Sequence, residues 1–175
     1  MSVIEADVST QLRHATFKIP AEPESAGLVR KLTVAVLHSW TSSVDEDATL
    51  LMLTELFTNA LVHGVDEQAT RSARISVEVL EISCGLHVEV HDPDQGGKEV
   101  AVTRATPQAM NEFGHGLELV EAMSADWGWK DTPGGKYVYF DVLAPDIDHA
   151  QYLAEVAMAT TSQAGPCTVA RAGSR

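Results

Sequence analysis

The chain has 175 residues, 45% of them hydrophobic and 21% charged, which is the scale of one compact domain with its own core and argues against a second domain. A formal net charge of -13 repels a long phosphate backbone unless Lys and Arg gather on one face, and they do not, so direct nucleic-acid binding is excluded. Cys84 and Cys167 are too few for a disulfide framework and lack CxxC spacing, and no basic-then-apolar leader or run of ~18 apolar residues occurs, so a soluble cytoplasmic protein without membrane association is expected.

Residues 1–13 read as a flexible N-terminal segment. Ala15 to Ile19 reads as a short strand stopped by Pro20 and Pro23. Ser25 to Trp40 follows as a helix whose core stripe is expected to be Val29, Leu32, Val36 and Trp40. The acidic, turn-forming run through Asp47 suits the positive end of a second helix, predicted from Glu46 to His63 and stopped by Gly64. Arg74 to Leu80 alternates, with Ile75, Val77 and Val79 on one face, and Leu86, Val88 and Val90 repeat the pattern; Ser83, Cys84 and Gly85 make this an antiparallel hairpin with one buried and one wetter face.

The DPDQGG segment from Asp92 breaks the second of these strands, and Lys98 to Phe113 reads as a long irregular loop. Helical spacing returns from Gly114 to Met123 through Leu117, Val120 and Met123. Two strands follow: Trp127 and Trp129 share one face, read as ordinary core or sheet packing, and Val138, Phe140 and Val142 share another across the Pro133-Gly134-Gly135 turn. Residues 146–159 read as a C-terminal helix and 160–175 as a disordered tail. Helices and strands in this order predict an α+β two-layer sandwich, a mostly antiparallel mixed sheet covered on one face by helices.

Glu55, Asn59 and His63 recur every four residues, so at ~100° per residue they share one helix face, with Leu50, Leu53 and Phe57 roughly opposite. An Asn amide oxygen is a hard neutral ligand suited to Mg²⁺, and a carboxylate one turn away suits a base aimed at a terminal phosphate. Asp92, at a strand end, is placed to accept the exocyclic amine of adenine, and Gly96 and Gly97 let the backbone approach a flat base. Gly114 and Gly116, with His115 between them and Leu117 after, stand where a helix begins and free N–H groups attract anions. Gly134, Gly135 and Lys136 open the last strand, where a backbone turn is placed to pack against the base or phosphates of a nucleotide, a pattern that an ordinary hairpin turn also gives.

The order of these elements, ELFTNALVH, then strand-Asp-turn, then GHGLELV, then GGKYVYF, resembles the GHKL superfamily of ATPases and kinases. Within it the chain looks like the small anti-sigma-factor-type serine/threonine kinases abundant in actinobacteria. The resemblance spans about Thr16 to Leu143, within an ATP-binding domain drawn as 14–145. It implies ATP and Mg²⁺ as cofactors, Glu55 as catalytic base, Asn59 as metal ligand, Asp92 on adenine, and the nucleotide-binding set completed by His63, Gly96, Gly97, Gly114, His115, Gly116, Leu117 and Lys136. It also implies a sigma factor and an anti-anti-sigma protein as partners; homodimerisation is left open.

Three positions depart from the family pattern: Asp94 in the second box where glycine is usual, His115 between the third-box glycines where relatives carry Arg nearby, and Tyr137 near the usual fourth-box threonine. They motivate an alternative, a nucleotide-gated adaptor that binds a sigma factor or another regulator without phosphoryl transfer. The catalytic domain of a sensor histidine kinase is disfavoured, since no helix hairpin carrying an acceptor His precedes the first strand.

Overall fold

The structure, a computed structural model, describes residues 13–40, 42–64, 73–92, 116–132 and 135–161. In chain order the elements are β1 (His14–Pro20), α1 (Ser25–Ser39), α2 (Glu46–Gly64), β2 (Arg74–Ile82), β3 (Gly85–His91), α3 (Gly116–Met123), β4 (Asp126–Thr132), β5 (Gly135–Leu143) and α4 (His149–Thr161). The strands form one sheet in the order β1-β2-β3-β5-β4, and every described pairing is antiparallel. The chain thus reaches β4 by way of α3 and then returns through β5 into the slot beside β3.

Strand register decides which side chains meet. Val77 lies opposite Val90 and Val79 opposite Val88, while Val88 and Val90 face Phe140 and Val138 across the next ladder. With a side-chain period of two, this places the apolar residues of β2, β3 and β5 on one face, where Ile75, Val77, Val79, Val88 and Phe140 are fully buried. α1, α2 and α3 cover that face. α2 is the central helix, touching α1, α3, β2, β3 and β5.

The start of α2 is fixed locally. Asp45 accepts the backbone N–H of Ala48 at 3.0 Å, the geometry of an N-cap, and Glu46 and Asp47 sit in the first turn beside the positive end of the helix dipole. Its burial is broader than the predicted stripe. Met52 and Leu56 join Leu53 and Phe57 in the core, Ala60 is buried as well, Leu50 is only half-buried, and Leu51 is exposed. A helix enclosed by two others and a sheet buries more than a single side. α1 is rotated relative to expectation for a similar reason: Val29, Thr33 and Leu37 form its buried centre, and Leu32, Val36 and Trp40 only flank it. In α3, Val120 is buried, while Met123, predicted to face inward, is exposed and Leu119 packs instead.

The opposite face of the sheet carries a smaller core at one end. α4 begins with a reciprocal cap, in which Gln151 N–H donates to Asp148 Oδ1 at 2.8 Å and Asp148 N–H to Gln151 Oε1 at 3.0 Å. This docks Tyr152 against Ile82 and Cys84, and its hydroxyl donates to Asp141 Oδ2 at 2.5 Å. The hairpin turn nearby requires glycine: Gly85 has φ +152°, and a Cβ there would lie 1.9 Å from the Val142 carbonyl oxygen. α4 continues to Thr161, into the start of the segment read as tail.

Candidate nucleotide site

Between α2, the first turn of α3 and the ends of β3, β4 and β5 lies a cleft. Leu56, Asn59 and Ala60 line it from α2, Leu117 from α3, Val90 and Asp92 from the end of β3, Trp127 and Trp129 from β4, and Lys136 and Val138 from β5. Four residues singled out in the sequence for nucleotide binding, Asn59, Asp92, Leu117 and Lys136, are therefore brought together from four separate elements. The side chain of His63 and residues Gly96, Gly97, Gly114 and His115 lie outside the described residues, as do Asp94 and Gly134.

Asn59 is the polar exception in an apolar wall. Its Nδ2 is buried and has no hydrogen-bond partner among the described residues. A buried amide atom without a partner is costly, of the order of 1–3 kcal/mol, so a polar group in the cleft that accepts from it is favoured. A phosphate with its hydrated cation supplies such groups, and the amide oxygen of the same side chain is a hard donor of the kind magnesium takes. The side chain therefore fits Mg²⁺-ATP.

Asp92 closes the opposite wall. Its backbone N–H donates to the Lys136 carbonyl at 2.9 Å, which extends the β3–β5 ladder by one step, and Lys136 Nζ lies 3.8 Å from its carboxylate. Burial pushes the Asp92 pKa up, while Lys136 and His91 pull against that rise. The result is a shielded carboxylate facing a low-dielectric slot, where a hydrogen bond from an exocyclic amine counts for more than in water.

The tryptophans have a second role beyond packing. Trp127 lies opposite Phe140 and Trp129 opposite Val138, so both project from the helix-covered side of the sheet into the cleft, with ring centroids 6.4 Å apart and planes tilted by 45°. Trp129 is 41% exposed, a large apolar surface at the cleft's edge. Aromatic walls with a few fixed polar groups are the usual make-up of a small-molecule site. The alternation of Trp127 and Trp129 was visible in the sequence, but which side of the sheet they occupied was not.

Glu55, one turn before Asn59, is half-buried and lies against the start of α3. A Cβ on Gly116 would fall 2.5 Å from Glu55 Oε2 and 3.4 Å from its Cβ and Cδ. The absence of a side chain at Gly116 is what lets this carboxylate rest over the first turn of α3. Tyr137, by contrast, does not face the cleft. It points to the other side of the sheet and stacks on His91 at a centroid distance of 4.8 Å.

Residues 19–141, well over half of the chain, match the family described as histidine kinase-like ATPase domain. None of the curated proteins compared with the chain matches it. The matched residues run from β1 into β5, across the antiparallel sheet and the three helices that cover it, and the chain belongs to the histidine kinase-like ATPase domain family, whose members bind ATP.

Proposed function

We propose that the chain is an ATP-dependent protein serine/threonine kinase of the anti-sigma-factor type, which phosphorylates an anti-anti-sigma partner and binds a sigma factor. The observation that carries the reading is the buried Asn59 amide, unpartnered among the described residues, in an aromatic cleft closed by Asp92, with Glu55 one helical turn away. Asn59 Oδ1 would hold magnesium, which would supply positive charge to offset that of the nucleotide's phosphates. Asp92 accepts from the base, and the tryptophan pair and Val138 exclude water around it. Glu55, lying beside the first N–H groups of α3, takes the proton of the acceptor hydroxyl. The acidic chain, at net charge -13, favours partners that offer basic segments.

The alternative, a nucleotide-gated adaptor without transfer chemistry, rested partly on Tyr137. That residue turns away from the cleft, so its presence does not weaken the nucleotide site. Two measurements separate the readings. Nucleotide titration with and without Mg²⁺ should show metal-dependent affinity that Asn59→Ala removes; metal-independent binding unchanged in the variant would remove the basis of both readings. Incubation with γ-labelled ATP and a panel of anti-anti-sigma proteins should label one of them with the wild type and none with Glu55→Ala. Binding without labelling would leave the adaptor.

A further inference from the structure

The face of the sheet turned away from α1, α2 and α3 carries a second polar constellation, whose groove meets the nucleotide cleft only at Asp92 and Lys136. Glu78 on β2 and Glu89 on β3 are register partners, directly opposite each other on this face. Two carboxylates so placed repel, and a positive charge between them relieves the repulsion. His91, two residues along β3, completes the group: its Nε2 is 2.8 Å from Glu89 Oε2 and 3.7 Å from Glu78 Oε1, and one donor atom from each of the three lies within 4.8 Å of the others. All three side chains are partly shielded, and Glu78 and His91 open onto a groove of about 540 Å³ shared with Thr16 and Ser76.

We propose that Glu78, Glu89 and His91 form a binding site for a divalent transition-metal cation of the Zn²⁺ class. Two carboxylate oxygens and one imidazole nitrogen are a mixed hard and borderline donor set, which suits Zn²⁺ and its neighbours in the first row and offers too few oxygens for Ca²⁺. Bond lengths of about 2.0–2.2 Å to N and O put the edges of a tetrahedral site at roughly 3.3–3.6 Å. Two of the existing separations, 2.8 and 3.7 Å, bracket that range, and all three donor atoms lie within 4.8 Å of one another, so side-chain rotation without backbone movement brings them onto one cation. The fourth position faces the groove, open to water or to an exogenous ligand. His14, whose Nε2 is 3.1 Å from the other oxygen of Glu78, stands beside it.

The layer behind the ligands is built to hold them. Glu89 Oε1 accepts from His87 Nε2 at 3.1 Å, and His87 Nδ1 donates to Asp141 Oδ1 at 2.5 Å. Asp141 is held in turn by the Tyr152 hydroxyl at 2.5 Å, and His87, Asp141 and Tyr152 are all buried. One oxygen of Glu89 is thereby tied to a rigid network and the other faces His91 at 2.8 Å. A carboxylate ligand held through a hydrogen bond to a buried imidazole, itself fixed by a second carboxylate, is oriented before any cation arrives.

The test is isothermal titration of the full chain, stripped with chelator, with Zn²⁺ alone, and a parallel titration with Co²⁺ read by its visible absorption. One equivalent should bind saturably, and Glu89→Gln and His91→Ala should each weaken it by tenfold or more, with Asp141→Asn weakening it about tenfold through the supporting layer. Asn59→Ala, in the other site, should leave stoichiometry and affinity unchanged. Circular dichroism checks each variant, and Glu78→Gln, on a half-buried position, gives a mild substitution if His91→Ala fails to fold. No saturable binding, binding retained by Glu78→Gln and Glu89→Gln, or binding lost in Asn59→Ala would each overturn the proposal.

Discussion

The contact between Gly116 and Glu55 supports a prediction that separates stability from chemistry. Replacing Gly116 by Ala introduces a Cβ 2.5 Å from Glu55 Oε2, about 1 Å inside the ~3.5 Å at which non-bonded heavy atoms are at ease. The atom in the way is the end of a flexible side chain, and the Glu55 Cβ and Cδ are already at ordinary contact distance, 3.4 Å. The carboxylate therefore swings aside and the backbone stays put. Alanine is favoured over glycine within a helix by up to about 1 kcal/mol, which offsets the strain, so the urea midpoint should correspond to a change in stability within about 1 kcal/mol. Nucleotide affinity, which the proposed site assigns to Asn59 and Asp92, should change little. Phosphoryl transfer is different, because a misplacement of ~1 Å costs about 100-fold, equivalent to roughly 2.7 kcal/mol in the barrier. Single-turnover transfer from γ-labelled ATP, with the nucleotide Kd measured separately, reads the two effects apart. A rate within threefold of wild type would show that the position of Glu55 over α3 is irrelevant to transfer, and a stability loss above about 2 kcal/mol would show that the glycine serves the fold.

Gly85→Ala should be a pure stability variant: the φ of +152° and the 1.9 Å approach of Val142 oxygen predict a loss of about 2–4 kcal/mol in urea unfolding, and a loss under 0.5 kcal/mol would contradict the turn geometry. In chelator-treated protein, burial lowers the His87 pKa, but the hydrogen bonds to Asp141 and Glu89 outweigh it and raise the value to about 9. A raised folded-state pKa stabilises fully below the unfolded value near 6.5 and is lost as pH climbs through 9, so stability should fall by at most about 3 kcal/mol across that window, and His87→Gln should flatten the profile.

Much of the architecture follows from local rules. The alternation of β2 and β3, the Asp45 cap and acidic first turn of α2, and the helical spacing before Gly64 all act within a few residues of chain, so each element is legible in the residues that form it. The shared face of Glu55 and Asn59 is of the same kind, since it depends only on the pitch of one helix. The rotation of α1 is not, because its buried centre at Val29, Thr33 and Leu37 is set by how it docks, and Thr33 enters the core against its own polarity. Nor is the side of the sheet on which Trp127 and Trp129 fall. That follows from β5 inserting between β3 and β4, which fixes Trp127 against Phe140 and turns both rings into the cleft.

The outer face marks the same boundary. Each histidine and glutamate on it was plain in the sequence as a polar residue of an alternating strand, and nothing in that alternation joins Glu78 to Glu89 or either to Asp141. Pairing across strands joins them, over separations that reach from β1 to α4. The sequence by itself determined the elements, the helix face bearing Asn59 and the strand end bearing Asp92, because these rest on backbone pitch and nearest neighbours. Only the tertiary structure decided that Asn59 and Asp92 share one cleft, that Gly116 makes room for Glu55, and that Glu78, Glu89 and His91 converge, because strand register and helix docking depend on contacts between residues far apart along the chain.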